Sequence, residues 1–124
     1  GRYAAMYKPY HLIGLELNIS IMSAALRGEP TGQTRRFAGD VAAVAKRALK
    51  AGEMLDGEGG YTVWGKLLPA ADSLARRALP IGLAHGVALT RDIAIGEIVS
   101  WDDVAVRDNR TISVRRAMEA EFAA

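Results

Sequence analysis

Cysteine is absent from this chain of 124 residues, and histidine occurs only twice, at His11 and His85. Without cysteine there can be no disulfide, no thiolate nucleophile and no cysteine-ligated zinc site. The two histidines lie far apart in the sequence, and neither belongs to a cluster of residues spaced like metal ligands. A protein metal site needs three or four ligands, so the sequence predicts no metal site.

A strong charge of either sign is also lacking. The net charge is only +2, and the basic residues are scattered among acidic ones, so we expect no nucleic-acid partner. The most apolar run, residues 12–26, contains Glu16 and Asn18 and is too short to span a bilayer. The residues after Gly1 do not form a secretion signal. These features predict a cytoplasmic protein that does not associate with a membrane.

The most informative stretch covers residues 79–104. Its pattern predicts a strand at 87–91, a tight turn at 94–97 and a short return strand at 98–99. Gly96 stands where such a turn requires a positive φ, which glycine reaches at least steric cost. Ser100 is placed to accept a hydrogen bond from the backbone of the turn that follows. We therefore expect a β-hairpin that ends in a capped turn.

A weaker copy of this pattern lies upstream, at residues 45–55. The matched positions are Arg47 with Arg91, Leu49 with Ile93, Gly52-Glu53 with Gly96-Glu97, and Leu55 with Val99. Every matched pair has the same offset, since 91 − 47 = 44 and 96 − 52 = 44. Two copies of a strand, a glycine turn and a strand predict a small, pseudo-symmetric β unit.

Both copies contain Arg-x-Ile/Leu-x-x-Gly-Glu, followed two residues later by an aliphatic residue, which is Leu55 in the first copy and Val99 in the second. The second copy leads into the acidic turn Trp101-Asp102-Asp103. This pattern resembles the SAF domain, a family named for sialic acid synthase, antifreeze protein and the flagellar basal-body chaperone. The resemblance implies a mainly β fold, the small β-clip, at residues 39–110. The residue pattern adds an N-terminal helix and linker at residues 1–38 and a short C-terminal helix at 111–124.

A longer resemblance extends from Lys8-Pro9-Tyr10-His11-Leu12-Ile13-Gly14-Leu15-Glu16 through Leu83-Ala84-His85-Gly86-Val87. This run is similar to the C-terminal part of bacterial homoserine-dehydrogenase-like oxidoreductases that carry a SAF domain. One branch of that group is the reductoisomerase-like enzyme that acts on 1-deoxy-D-xylulose 5-phosphate. The resemblance implies a parent enzyme that uses NAD(P), with its Rossmann and catalytic domains upstream of Gly1. Residues 1–38 would then be the tail of the catalytic region.

Residues 11–27 fit both a strand and a helix. The segment has no turn signal and is longer than a typical strand of ~5–6 residues, so we predict a helix that stops at Gly28. One apolar stripe of this helix consists of Leu12, Leu15, Ile19, Met22 and Leu26. Other apolar residues lie around the same helix, so we expect the upstream catalytic domain to cover it. In the isolated chain the stripe would mediate self-association, unless the helix folds back on the β unit.

A second helix is predicted at the end of the chain. Ser113 is placed to cap it, and its apolar stripe would comprise Val114, Met118 and Phe122.

Four glycines lie within residues 56–66, which predicts a functional loop and not a strand. The run from Gly60 to Lys66 fits G-x-x-x-x-G-K, but Leu67 replaces the serine or threonine that binds Mg²⁺ in a P-loop. We therefore predict no P-loop and no cofactor-binding residue. The candidates for ligand contact are Tyr61, Lys66 and His85, although a hydrogen bond to the backbone is the simpler interpretation of His85. No residue is predicted to be catalytic.

Two functions follow from these observations. The first is a C-terminal SAF domain of a larger NAD(P)-dependent oxidoreductase, non-catalytic by itself and with a structural, active-site-flanking or oligomerisation role. The second is a free-standing SAF module that binds a sugar or a sugar phosphate.

Overall fold

The structure is a computed structural model that describes residues 4–33 and 35–122. The chain divides into two compact units between Arg35 and Arg36. The described residues form three α-helices and two small antiparallel sheets, one of two strands and one of three. None of the helices in these residues is long and apolar enough to cross a membrane.

The first unit is built on helix α1 (Ile13–Met22), which continues through a π-helical turn at Ser23–Arg27. The helix ends at Gly28, which has a φ of 65° and donates its N–H to the Ala24 carbonyl over 3.2 Å. Glycine is favoured there because other residues rarely adopt a left-handed conformation. The prediction of a helix over residues 11–27 is confirmed, and the strand alternative is wrong.

No side chain of α1 is buried. Leu15, Ile19 and Leu26 of the predicted stripe are 69%, 67% and 73% exposed. Ile13 and Leu17, which lie outside the stripe, are 73% and 56% exposed. The helix therefore carries apolar surface on more than one face, as its sequence indicates.

The second unit combines helices with antiparallel strands. It contains β1 (Gly39–Ala45), β2 (Met54–Asp56), β3 (Val63–Pro69), α2 (Ala70–Ala75), β4 (His85–Leu89), β5 (Val104–Ala105) and α3 (Arg110–Phe122). One sheet pairs β1 with β3, and the other has the order β2-β4-β5.

Strand β3 corrects the predicted glycine loop, which ends at Thr62 and not at Lys66. Gly65 lies within β3 opposite Ala43, and a Cβ there would come within 2.6 Å of a Val41 methyl group. The glycine thus allows a side chain of the neighbouring strand to lie over the backbone, as strand glycines often do. Because Gly65 and Lys66 lie inside a strand, they cannot form a phosphate-binding loop.

The predicted hairpin at residues 87–99 is only partly right. Gly96 has a φ of 78°, and the turn closes with a hydrogen bond from the Glu97 N–H to the Ala94 carbonyl. The return strand, however, does not pair with β4. Ile98 instead pairs with Val44 of β1, because the turn leads the chain toward the other arm of the repeat.

The two copies of the repeat pair with each other. Leu49 and Ile93, which occupy equivalent positions, exchange two backbone hydrogen bonds of 2.9 and 3.0 Å. The Gly52 N–H donates to the Leu89 carbonyl over 2.8 Å, and its symmetry-related bond runs from Gly96 to Ala45 over 2.9 Å. Each of these hydrogen bonds from the first copy to the second is therefore matched by an equivalent bond from the second copy to the first. The prediction of a pseudo-symmetric unit is confirmed.

The hydrophobic core lies around this pair. Its largest fully buried side chains include Leu49, Leu55, Leu79, Ile93, Val63 and Val99. Burying one such side chain is worth about 1.5–3 kcal/mol, so the core is the main source of this unit's stability.

Helix α3 begins earlier than predicted. Its N-terminal cap is Asn109, whose side-chain oxygen accepts the Ile112 N–H over 3.0 Å, so Ser113 lies inside the helix and is not the cap. The predicted apolar stripe is also wrong in part, because Val114 is 62% exposed. Arg115 and Glu119 lie on the less exposed side of the helix. There Arg115 forms ion pairs with Asp40 and with Glu119.

The symmetry gives a direct test of the two turn glycines. Gly52 and Gly96 have φ values of 81° and 78°, and no atom lies within 4 Å of a Cβ built at either position. Gly96→Ala and Gly52→Ala should therefore each lower the free energy of unfolding by about 1–2 kcal/mol through backbone strain alone.

Gly82→Ala is the matched control, since it has equal space and no positive φ. Equal denaturation midpoints for the three variants would contradict this explanation.

Candidate functional site

Each arm of the repeat ends in a polar turn that is held by reciprocal hydrogen bonds. In the second arm, Ser100 Oγ accepts the Asp102 N–H over 3.3 Å. Asp103 Oδ2 accepts the Ser100 N–H over 2.8 Å. This arrangement is a capping box, so the predicted cap at Ser100 is confirmed.

The glycine loop of the first arm is also held by reciprocal hydrogen bonds, which are made by different residues. Asp56 is the equivalent of Ser100, since 100 − 56 = 44, and its carboxylate accepts the N–H groups of Tyr61 and Thr62 over 2.6 and 3.0 Å. Thr62 Oγ1 accepts the Asp56 N–H in return, over 3.1 Å. A Cβ at Gly60 would overlap the Asp56 carboxylate, so this glycine makes room for the bonded acid.

These bonds shift the titration of Asp56. The hydroxyl of Thr62 and the backbone N–H groups of Tyr61 and Thr62 lower the pKa of Asp56 from 3.8 to about 2. Hydrogen bonds to the charged form of a carboxylate favour that form, which explains the direction. Asp56 is therefore a structural anion near neutral pH and is unsuited to general acid catalysis.

The arginines and glutamates that recur in both arms also form ion pairs and hydrogen bonds within the fold. Arg91 contacts Glu97 at 2.7 Å and Asp103 at 2.6 Å, and Arg47 pairs with Glu53 in the first arm. Each glutamate also accepts a backbone N–H of its own turn. The paired guanidinium group lowers the pKa of each glutamate below its usual range. The two glutamates therefore brace equivalent turns.

Two of the three predicted ligand contacts meet at Asp56. The Nδ1 atom of His85 lies 3.0 Å from the Asp56 carbonyl oxygen, which is the backbone contact expected for a structural histidine. Tyr61 donates its N–H to the Asp56 carboxylate, and its own side chain is 86% exposed. Lys66 lies apart from them in β3, opposite Ala42.

A groove of about 670 Å³ opens between β4 and the segment that follows β5. Its polar lining consists of His85, Arg107, Asn109 and Thr111, and its apolar lining includes Leu83, Val87 and Ile112. Tyr61 and Lys66 do not line it. Of these polar residues, His85 is a candidate from the sequence, whereas Arg107, Asn109 and Thr111 are not.

The groove exists because the two halves of the repeat differ. β1 and β3 remain paired over seven residues, whereas β4 and β5 pair only at Ala88–Ala105 and Leu89–Val104. A β-bulge also interrupts the pairing of β4 with β2, near Gly86, whose φ is 67°. Bulges bend a strand and redirect its side chains. Pairing therefore ends at Ala88 and Ala105, so Val87 and Val106 are unpaired with each other, and the start of α3 forms the opposite wall of the groove.

Helix α3 is fixed in place by a partly buried ionic network. Arg115 binds both carboxylate oxygens of Asp40 at 3.1 and 2.6 Å and contacts Glu119 at 2.7 Å. Glu119 also accepts the indole N–H of Trp101 over 3.1 Å. Burial raises the pKa of Asp40, but the bonds from Arg115 and Ser73 outweigh it and hold that pKa below its usual range. A bidentate, partly buried pair gives the groove wall a defined position.

Within residues 4–33 and 35–122, no three histidine, aspartate or glutamate side chains cluster as metal ligands do. No protein-family model matches the sequence, and no curated protein matches it significantly.

The shifted pKa of Asp56 can be tested by NMR titration of its carboxyl group, with a midpoint expected at about 2. Because the folded-state pKa is lowered, this group stabilises the fold above the unfolded-state value near 3.8. That contribution is lost as the pH falls through about 2. Thr62→Val removes the largest cause and should raise the midpoint toward 3.8.

Thr90→Val is the control, since the Thr90 hydroxyl donates to a backbone carbonyl and to no carboxylate. A midpoint near 3.8 in the unsubstituted protein would show that the loop does not hold the carboxylate as described.

Proposed function

We propose that the second unit is a SAF-type β-clip domain, and that it serves as a non-catalytic part of a larger homoserine-dehydrogenase-like, NAD(P)-dependent oxidoreductase. The observation that carries this proposal is the closure of the two Arg-x-Leu/Ile-x-x-Gly-Glu arms on each other. The Leu49–Ile93 pair and the two glycine turns use the shared motif to build one interlocked unit. A cytoplasmic location belongs to the same proposal.

The polar residues of the motif support a scaffolding role over a catalytic one. Glu53, Glu97, Asp56 and Asp103 all accept backbone N–H groups, and three of them also contact an arginine. A catalytic acid or base must be available to exchange a proton with substrate near the working pH. These carboxylates have lowered pKa values and are occupied by the fold. The chemistry of the parent enzyme would then reside in its other domains.

Helix α1 supports a contact with another folded surface. Its apolar side chains are exposed on several faces, and large exposed apolar patches mark interaction sites on soluble proteins. In the proposed parent enzyme this surface belongs against the upstream catalytic domain. The SAF-type unit would then flank the active site or contribute to oligomerisation.

The reading frame that encodes this protein tests the proposal. We expect it to encode, upstream of Gly1, a strand followed by G-x-G-x-x-G, which is the dinucleotide-binding fingerprint. The full-length product should bind NADPH in a fluorescence titration, and the chain of 124 residues should not. Micromolar NADPH binding by the 124-residue chain, or an upstream frame without the fingerprint, would overturn the proposed parent enzyme.

The isolated chain should self-associate through α1. The stripe formed by Leu12, Leu15, Ile19, Met22 and Leu26 is proposed to pack against its equivalent in a second copy, as in a two-fold dimer. Light scattering should give the mass of a dimer, and Leu15→Asp or Ile19→Asp should give the mass of a monomer. Each substitution places a charge in an apolar contact.

Leu67→Asp provides the control, because Leu67 is 73% exposed but lies on β3. It should leave the dimer intact. A monomeric unsubstituted chain at high concentration would refute this arrangement.

A second candidate function is a free-standing SAF module that binds a sugar or sugar phosphate. The groove between β4 and α3 favours it, because it places polar and apolar side chains around one opening.

A further inference from the structure

We propose that the groove between β4 and α3 binds a small hydroxylated phosphomonoester, with Arg107 as the principal contact to the phosphate. This inference deepens the second candidate function, and it does not require a parent oxidoreductase. It identifies the site, the residue that receives the anion and the chemical class of the ligand.

Arg107 combines a position in the groove with the absence of an ion pair in the described part of the chain. Five arginines of the second unit form ion pairs: Arg47, Arg77, Arg91, Arg115 and Arg116. Arg107 lines the groove, and among the described residues no carboxylate forms an ion pair with it. None of the described residues lining the groove is acidic. The guanidinium group is therefore available for an anion, and its planar fork matches phosphate geometry.

His85 is held in a defined orientation at the same groove. Because a carbonyl oxygen can only accept, the contact with Asp56 assigns the proton of the neutral ring to Nδ1. Gly57, with a φ of 74°, packs closely against this histidine, and a Cβ there would approach the His85 Cβ to 2.9 Å. The remaining ring nitrogen, Nε2, is left as an acceptor for a hydroxyl group. This acceptor explains why the ligand should carry a hydroxyl as well as a phosphate.

The rest of the lining supplies neutral donors and an apolar wall. The Oδ1 atom of Asn109 is used by the helix cap, which leaves its amide NH₂ group to donate. Thr111 adds a hydroxyl group, and Leu83, Val87 and Ile112 can contact the carbon skeleton. The volume of about 670 Å³ lies in the usual range for small-molecule sites. The combination suits a compact ligand with one anionic end.

The experiment is an NMR titration of the ¹⁵N-labelled chain of 124 residues with glycerol 3-phosphate. Inorganic phosphate and glycerol, each added alone, separate the contributions of the anion and of the hydroxyl groups. We expect saturable shifts at the backbone amides of Gly82, Gly86 and Thr111 with glycerol 3-phosphate. Inorganic phosphate should cause weaker shifts at the same amides, and glycerol should cause none.

Substitutions then identify the anion contact. Arg107→Ala should weaken glycerol 3-phosphate binding at least tenfold, because a charge-assisted hydrogen bond is lost. Arg76→Ala removes an exposed arginine outside the groove and should leave the affinity unchanged. His85→Ala should weaken glycerol 3-phosphate binding and leave inorganic phosphate binding unaltered. The amide spectrum of each variant also verifies that it is folded.

The proposal is overturned if millimolar glycerol 3-phosphate shifts no groove amide, or if Arg76→Ala and Arg107→Ala weaken binding equally. Equal shifts with glycerol and with glycerol 3-phosphate would also refute it. A negative result here leaves the parent-enzyme proposal standing, since that depends on the upstream reading frame and on NADPH binding.

Discussion

The second unit depends on the backbone pair between Leu49 and Ile93. Both side chains are 1% exposed, and their two N–H groups bond to each other's carbonyls in the centre of the core. An isolated pair of strands is at best marginally stable in water. Here neither arm closes on itself, because each glycine turn donates its N–H to the strand of the other arm. The two arms are therefore expected to fold together, since each supplies hydrogen bonds and apolar cover that the other requires.

The same frame yields different surfaces in its two halves. In the first half, long pairing of β1 with β3 and a seven-residue loop from Asp56 to Thr62 close the structure tightly. In the second half, a short capping box replaces the loop and the strands separate after two pairs. The pairing of the two symmetric arms thus explains the stability of the unit. The groove forms where the two halves differ in their strand pairing. It lies where the second copy of the repeat departs from the geometry that the first copy maintains.

Local signals in the sequence predicted much of this fold. The constant offset of 44 between the arms, the positive φ at Gly96, the cap at Ser100 and the helix stop at Gly28 all arise from the chemistry of a few adjacent residues. The partner of the return strand could not be predicted in this way, because apolar alternation identifies a strand but not its neighbour. The glycine content of residues 56–66 also predicted a loop where β3 forms. Gly65 is needed there because the side chain of Val41, on the neighbouring strand β1, lies close to its backbone.

The groove was harder still to predict. His85 was a candidate from sequence, but Arg107 and Thr111 join it only because β4 diverges from β5 and α3 begins at Asn109. The cap could have been recognised, since asparagine is among the best N-cap residues and Ser113 competes poorly with it here. The convergence itself depends on the Asp40–Arg115 pair, whose members are 75 positions apart (115 − 40 = 75). No local sequence pattern predicts a contact between residues so far apart in the chain.

The two units also differ in how completely they bury their apolar side chains. Among the described residues, every buried side-chain nitrogen and oxygen has a hydrogen-bond partner, and the core of the second unit is continuous. Helix α1, in contrast, buries none of its own side chains and exposes leucine and isoleucine on several faces. Most of the stability of a helix in a protein comes from packing of its apolar face, not from intrinsic propensity. In the proposed dimer the driving force for association would therefore lie in the first unit, whereas the second unit would contribute a preformed scaffold and its groove.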